Sequence, residues 1–99
     1  MLERHLLASQ AWVPLSARPW LVVVAPAGSV PEPSALRCFL CGGGQGVNYA
    51  RGTWHHPLLA LGAESDFLVI YRAARSGEVD CEEHALKGES VWISAIAEA

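Results

Sequence analysis

The segment Trp20–Ala25, WLVVVA, constrains the fold more than any other stretch of this chain. It is β-branched and apolar, and it lies between a turn ending in Pro19 and the loop Pro26–Ser34, PAGSVPEPS. That pattern reads as a strand buried on both faces. The loop is too rich in proline for a helix or a central strand. Similar short runs recur along the chain. Gln10–Leu15 reads as a strand that Pro14 demotes to an edge or marks as bulged. Leu36–Cys41, Val47–Ala50, His55–Leu61 and Phe67–Arg72 read as further strands, with Gly42–Gly46 and Gly62–Asp66 as turns. Met1–Leu7 alternates poorly and reads only weakly as a strand. Cys81–Leu86 fits a strand or one helical turn, and Val91–Ile96 fits either period.

Short strands at close spacing, separated by Gly and Pro turns, predict an all-β sandwich or barrel. The helices that a parallel α/β sheet needs are not seen. Ninety-nine residues, 52% apolar and 17% charged, suit one packed domain over residues 1–99. A net charge of −3 disfavours nucleic acid as a partner. The opening MLERHLL lacks the apolar core of a signal peptide, and the longest apolar run, Pro19–Ala27, is too short to cross a bilayer. A cytoplasmic protein without a membrane partner is the expectation. Three cysteines, Cys38, Cys41 and Cys81, make an odd count that argues against a disulfide framework. The run Gly42–Gly46 is no phosphate loop, because no Lys-Ser/Thr follows it.

Chemistry concentrates in Gly46–Leu61, GVNYARGTWHHPLLAL. Adjacent strand residues point to opposite faces, so only one of His55 and His56 can face a barrel interior. The spacing Gly52-x-x-His55 resembles the second cupin motif, in which a Gly turn precedes an inward metal-binding His; His55 is then the inward one. In the same register Glu3, His5 and Gln10 resemble the first cupin motif, with Glu3 where His is usual and Gln10 where Glu is usual. Glu and His suit a divalent cation, whereas a neutral Gln is a poor ligand.

The segments ERHLLASQAWVPL (3–15), WLVVVAP (20–26), LRCFL (36–40), GQGVNYARGTWHHPLLAL (44–61) and DFLVIYR (66–72) together resemble the ureidoglycolate lyases of the cupin superfamily. The resemblance covers most of residues 2–86 and leaves 87–99 as a divergent tail. It implies an all-β, cupin-like jelly-roll barrel, a likeness to homodimeric enzymes, and a small-molecule substrate. The implied reaction is elimination of urea from ureidoglycolate to give glyoxylate, in allantoin and purine degradation. Family members carry a further N-terminal segment, so the chain reads as an N-terminally truncated copy or a fragment whose barrel is incomplete at that end. The missing strands would leave open sheet edges.

That reaction needs a base for the substrate hydroxyl, an acid for the departing urea nitrogen and a cation for the carboxylate. Histidine titrates near neutrality, which assigns His5 and His55 to acid–base work or to metal binding. Gln10 and Asn48 are candidates for hydrogen bonds to the ureido group, and Arg51 for a carboxylate clamp. The family resemblance implies nickel, with Glu3, His5, Gln10 and His55 as the ligand set. Two rival readings follow. A decayed, non-catalytic cupin-like module would bind only a small acid or a partner subunit. A zinc-stabilised domain would use Cys38-x-x-Cys41 and Cys81-x-x-His84, although residues three apart on a strand face opposite sides.

Overall fold

A computed structural model describes residues 1–86 and 91–93. The strands are β1 (Leu2–His5), β2 (Gln10–Pro14), β3 (Trp20–Ala25), β4 (Arg37–Cys41), β5 (Val47–Tyr49), β6 (Trp54–His55), β7 (Leu59–Ala60), β8 (Phe67–Tyr71) and β9 (Cys81–His84). The one helical element among the described residues is a single 3-10 turn at Pro33–Ala35. The architecture is therefore all-β, in keeping with a cupin-like fold. Every strand pairing is antiparallel. One sheet runs in the order β4-β3-β6-β1-β9, with β7 also paired to β3, and the other runs β5-β2-β8.

The two sheets face each other across a core of Trp20, Val22, Cys41 and Tyr49, against which Trp12 and Phe67 pack. The Trp20 and Phe67 rings meet edge-on at 5.0 Å, a favoured aromatic geometry. Alternation along β3 sends Trp20 and Val22 into this core and Val23 and Ala25 to the far side of the sheet, all four of them buried. The far side carries a second cluster, Leu2, Ala25 and Trp54, with Leu36 and Leu86 against it. The proline-rich loop closes over it: Gly28 O accepts hydrogen bonds from Trp54 Nε1 (3.1 Å) and Arg4 Nη1 (2.7 Å), and the Arg4 guanidinium lies 4.5 Å above the Trp54 ring.

Two expectations need correction, and one open reading is decided. Residues 55–61 do not form one strand. Val24 pairs with His55 whereas Leu21 pairs with Leu59, so His56, Pro57 and Leu58 stand opposite only Val22 and Val23. This is a β-bulge, placed where Pro57 has no N–H to give the ladder. Nor does Pro14 put β2 at an edge, because β2 is the middle strand of its sheet. Leu15 N–H donates to Asp66 O at 3.0 Å, so the N of Pro14, one residue back, points away from β8. On that side β5 has already ended, at the Trp12–Val47 pair, and no ladder bond is lost. Finally, Cys81–His84 is strand rather than helix. Of the ambiguous Val91–Ile96 segment, Val91–Ile93 has no regular structure, and residues 94–96 lie outside the described residues.

Candidate functional site

β1 reads weakly as a strand because its amphipathic sense is inverted. Its partners give the reason: Glu3 pairs with both His55 and Glu83, and His5 pairs with Cys81. Glu3 and His5 thus share the inner face with His55, while Leu2 and Arg4 face the buried outer cluster. The polar side of the strand is the one turned inward.

His55 is 2% exposed, and the placement of its ring follows from local sequence. Gly52 adopts φ +82°, a left-handed conformation natural to glycine, and its N–H donates to His5 O at 2.8 Å. This turn ties the start of β6 to the end of β1. The His55 ring then lies between two others. Tyr49 stacks on it at 4.4 Å and His5 at 5.4 Å. His55 Nδ1 lies 3.1 Å from Thr53 O. A carbonyl can only accept, so Nδ1 carries the proton in the neutral ring and Nε2 keeps its lone pair. That Nε2 is buried, has no hydrogen-bond partner, and lies 3.4 Å from Glu3 Oε1. Burial pushes the His55 pKa below its usual value, against the opposing pull of the Thr53 bond and Glu3.

His5 Nε2 and Tyr49 Oη are likewise buried without a partner. His5 Nδ1 faces Asp80 Oδ2 at 3.6 Å. Burial, with Cys41 and Glu3 nearby, pushes the Tyr49 hydroxyl far above its ordinary pKa, so it keeps its proton. Sequence reasoning passed over Tyr49. A signal was present in its place one residue before Ala50-Arg51-Gly52, but only the stacking on His55 gives it meaning.

Ligand atoms of Glu3, His5 and His55 all lie within 4.8 Å of one another. Two imidazole nitrogens and one carboxylate are a donor set suited to a divalent transition metal, and the unpartnered His5 and His55 nitrogens fit such an ion. Beside this cluster lies a cavity of about 250 Å³, lined by Glu3, Trp12, His55, Pro57, Leu58 and Phe67 among others. Larger hollows of about 450 and 680 Å³ lie elsewhere, lined mainly by apolar residues.

The remaining candidates fall differently. Gln10 is buried, on the inner face opposite Tyr49. Its Oε1 accepts the Trp12 indole N–H at 3.2 Å, which leaves its amide N–H groups to donate and makes it a donor rather than a ligand. Asn48 pairs with Ala11, one step out of phase with Gln10 and Tyr49, so it is exposed on the outer face. Arg51 is exposed on the turn after β5, and among the described residues no arginine or lysine lines the cavity. The zinc reading fails on topology. Cys38 and Cys41 lie on β4 at one edge of the larger sheet, and Cys81 and His84 on β9 at the other. Cys38 is exposed and Cys41 buried, as opposite faces require.

The family described as ureidoglycolate lyase matches residues 1–94. The chain belongs to the ureidoglycolate lyase family. It is 55% identical over 84 residues to a protein named ureidoglycolate lyase from Pseudomonas syringae pv. syringae, covering 85% of this chain and 48% of that one. It is 57% identical over 84 residues to the one from Pseudomonas aeruginosa, again covering 85% and 48%. Against the one from Burkholderia mallei it is 53% identical over 94 residues, covering 95% and 53%. The chain thus spans about half the length of the ureidoglycolate lyases it matches.

Proposed function

We propose that this chain carries the catalytic pocket of a ureidoglycolate lyase, which releases urea and glyoxylate from ureidoglycolate in the cytoplasmic breakdown of allantoin and purines. The observation that carries this reading is the Glu3–His5–His55 cluster between the two sheets, with His55 Nε2 buried and without a hydrogen-bond partner. Family membership supports the choice of substrate.

His55 Nε2 takes the proton of the substrate hydroxyl as that carbon–oxygen bond becomes a carbonyl. The carbon–nitrogen bond breaks, and His5 Nε2 delivers a proton to the urea nitrogen. The Tyr49 hydroxyl and the Gln10 amide N–H groups donate hydrogen bonds to the ureido carbonyl. The apolar walls formed by Leu58, Phe67 and Trp12 limit water around the developing charge, which strengthens each of these interactions. In an alternative use of the same side chains, Glu3, His5 and His55 would hold a divalent metal, nickel by family resemblance, and the imidazole nitrogens would then serve as ligands in place of acid and base. Such a cation supplies the positive charge for the substrate carboxylate that the cavity lining lacks.

The protein works as one domain over residues 1–99 and as a homodimer. No helix among the described residues is long and apolar enough to cross a membrane. Incubating purified protein with ureidoglycolate, with and without nickel, and following glyoxylate tests the reading. Release no faster than the spontaneous rate in both conditions overturns it.

A further inference from the structure

The backbone on either side of the His5 ring is tied down. His5 O accepts the Gly52 N–H, and one residue on, the Leu6 N–H donates to Asp80 O at 3.1 Å. The second bond continues the β1–β9 ladder past the His5–Cys81 pair and brings the Asp80 side chain against the ring. That carboxylate spans two groups. Oδ1 accepts the Leu7 N–H at 2.9 Å, and Oδ2 lies 3.6 Å from His5 Nδ1. The His5 and Asp80 side chains are only 17% and 15% exposed, so salt and water screen the contact weakly.

The other charged groups nearby are engaged elsewhere. Arg72 Nη2 is bound by both oxygens of Glu78, at 3.0 and 3.1 Å. Glu3 turns Oε1 to His55 Nε2 at 3.4 Å, and its Oε2 accepts the Cys81 thiol at 3.8 Å. Asp80 is therefore the carboxylate that addresses His5 Nδ1, and the other ring nitrogen, Nε2, is the one buried without a partner.

We infer that Asp80 is a positioning residue: its Oδ2 keeps the His5 proton on Nδ1 and so presents Nε2 as the working atom beside His55. At 3.6 Å the pair is an electrostatic contact, longer than a hydrogen bond. A carboxylate nonetheless only accepts, so it favours the tautomer that carries its proton on the near nitrogen. The Leu7 N–H holds the carboxylate in that attitude. As an acid, His5 gives up the proton on Nε2 and keeps the one on Nδ1; as a ligand, it offers the Nε2 lone pair. Both uses need the Nδ1 proton to stay, and a carboxylate behind a working imidazole serves that purpose. The inference rests on the reading of His5 as a working group of the pocket and names the residue that decides which of its nitrogens works.

Nitrogen-15 spectra of the histidine rings test it, on the full chain at about pH 8, where unperturbed imidazoles are neutral, with His5→Gln to assign the signal. Glyoxylate release is followed in parallel. Asp80→Asn keeps an oxygen for the Leu7 N–H, which sets its NH2 group where Oδ2 stood; that group only donates. Glu82→Gln makes the same charge change on the outer face, against Arg4. The expected result is a wild-type His5 protonated at Nδ1 and an Asp80→Asn ring protonated at Nε2. In Asp80→Asn kcat falls about 10–100-fold with KM little changed, and Glu82→Gln matches the wild type in both measurements. A wild-type ring protonated at Nε2, an unchanged tautomer in Asp80→Asn, or an inverted tautomer with unchanged kcat overturns the inference. A wild type that releases no glyoxylate yet shows the inversion overturns the catalytic reading and upholds the hold of Asp80 on the ring. If Asp80→Asn does not fold, the wild-type spectrum decides: protonation at Nδ1 upholds the inference and protonation at Nε2 overturns it.

Discussion

His55 holds its Nδ1 proton on Thr53 and keeps Nε2 buried without a hydrogen-bond partner, so its proposed role depends on one tautomer and on staying neutral. Replacing it with Ala should lower turnover of ureidoglycolate by about 10²–10⁴-fold, the usual share of a positioned acid or base, as read by glyoxylate release in a folded variant. The same ring links stability to pH. Burial lowers its folded pKa, so below about pH 6.5 the unfolded chain takes up the proton first. Stability that is full at neutral pH is therefore lost as pH falls through that window. Urea midpoints measured across it should decline less steeply in His55→Gln than in the parent. Tyr49→Phe leaves the stack on His55 intact and removes only the unpartnered hydroxyl. It should reduce kcat by roughly tenfold, about one hydrogen bond's worth, without lowering the urea midpoint.

At the scale of elements, the site depends on two local devices. The first is the Gly52 turn, where φ is +82° and an added Cβ would sit 3.2 Å from the Ala27 Cβ. Gly52→Ala should cost about 1–2 kcal/mol, seen as a lowered urea midpoint, and should reduce activity further because the turn fixes β6 against β1. The second is the bulge at His56–Leu58, which reverses the phase of the chain: His55 faces inward before it, and Ala60, opposite Trp20, faces inward after it. Strict alternation from His55 places Leu59 inside instead. The sequence announces the break through Pro57, yet the one-residue offset depends on how β3 accepts two short strands. β1 illustrates the converse. Its inward Glu3 and His5 look like a solvent face until β6 and β9 enclose them.

For the whole molecule, both sheets must close over Glu3, His5 and His55, since β1 and β6 supply these side chains and β2 and β5 supply Gln10 and Tyr49. Metal binding should therefore report on the assembled fold. Nickel at about 100 times its dissociation constant should stabilise the protein by roughly 2.7 kcal/mol, measured as a raised unfolding midpoint. His5→Ala should abolish the shift, and Cys38→Ser should not alter it. At the open rim, Phe39 pairs with buried Val22 on the inner face of β4 and yet is 54% exposed. The core is uncovered at that edge among the described residues.

By itself, the sequence determined the strand pattern and the family. Three successive valines in β3, Gly and Pro between the runs, and the string from Gly46 to Leu61 are local facts, and strand propensity and turn chemistry are local physics. It also determined that only one of His55 and His56 could face inward, because the period of a strand is two. Tertiary structure alone decided which polar groups meet. It stacked Tyr49 on His55, gave Gln10 to Trp12, turned Asn48 outward, and set the two cysteine-bearing strands at opposite edges of one sheet. These outcomes depend on strand order and on register between strands far apart in the chain, and a shift of one residue would turn Gln10, Asn48 and Tyr49 to the opposite faces.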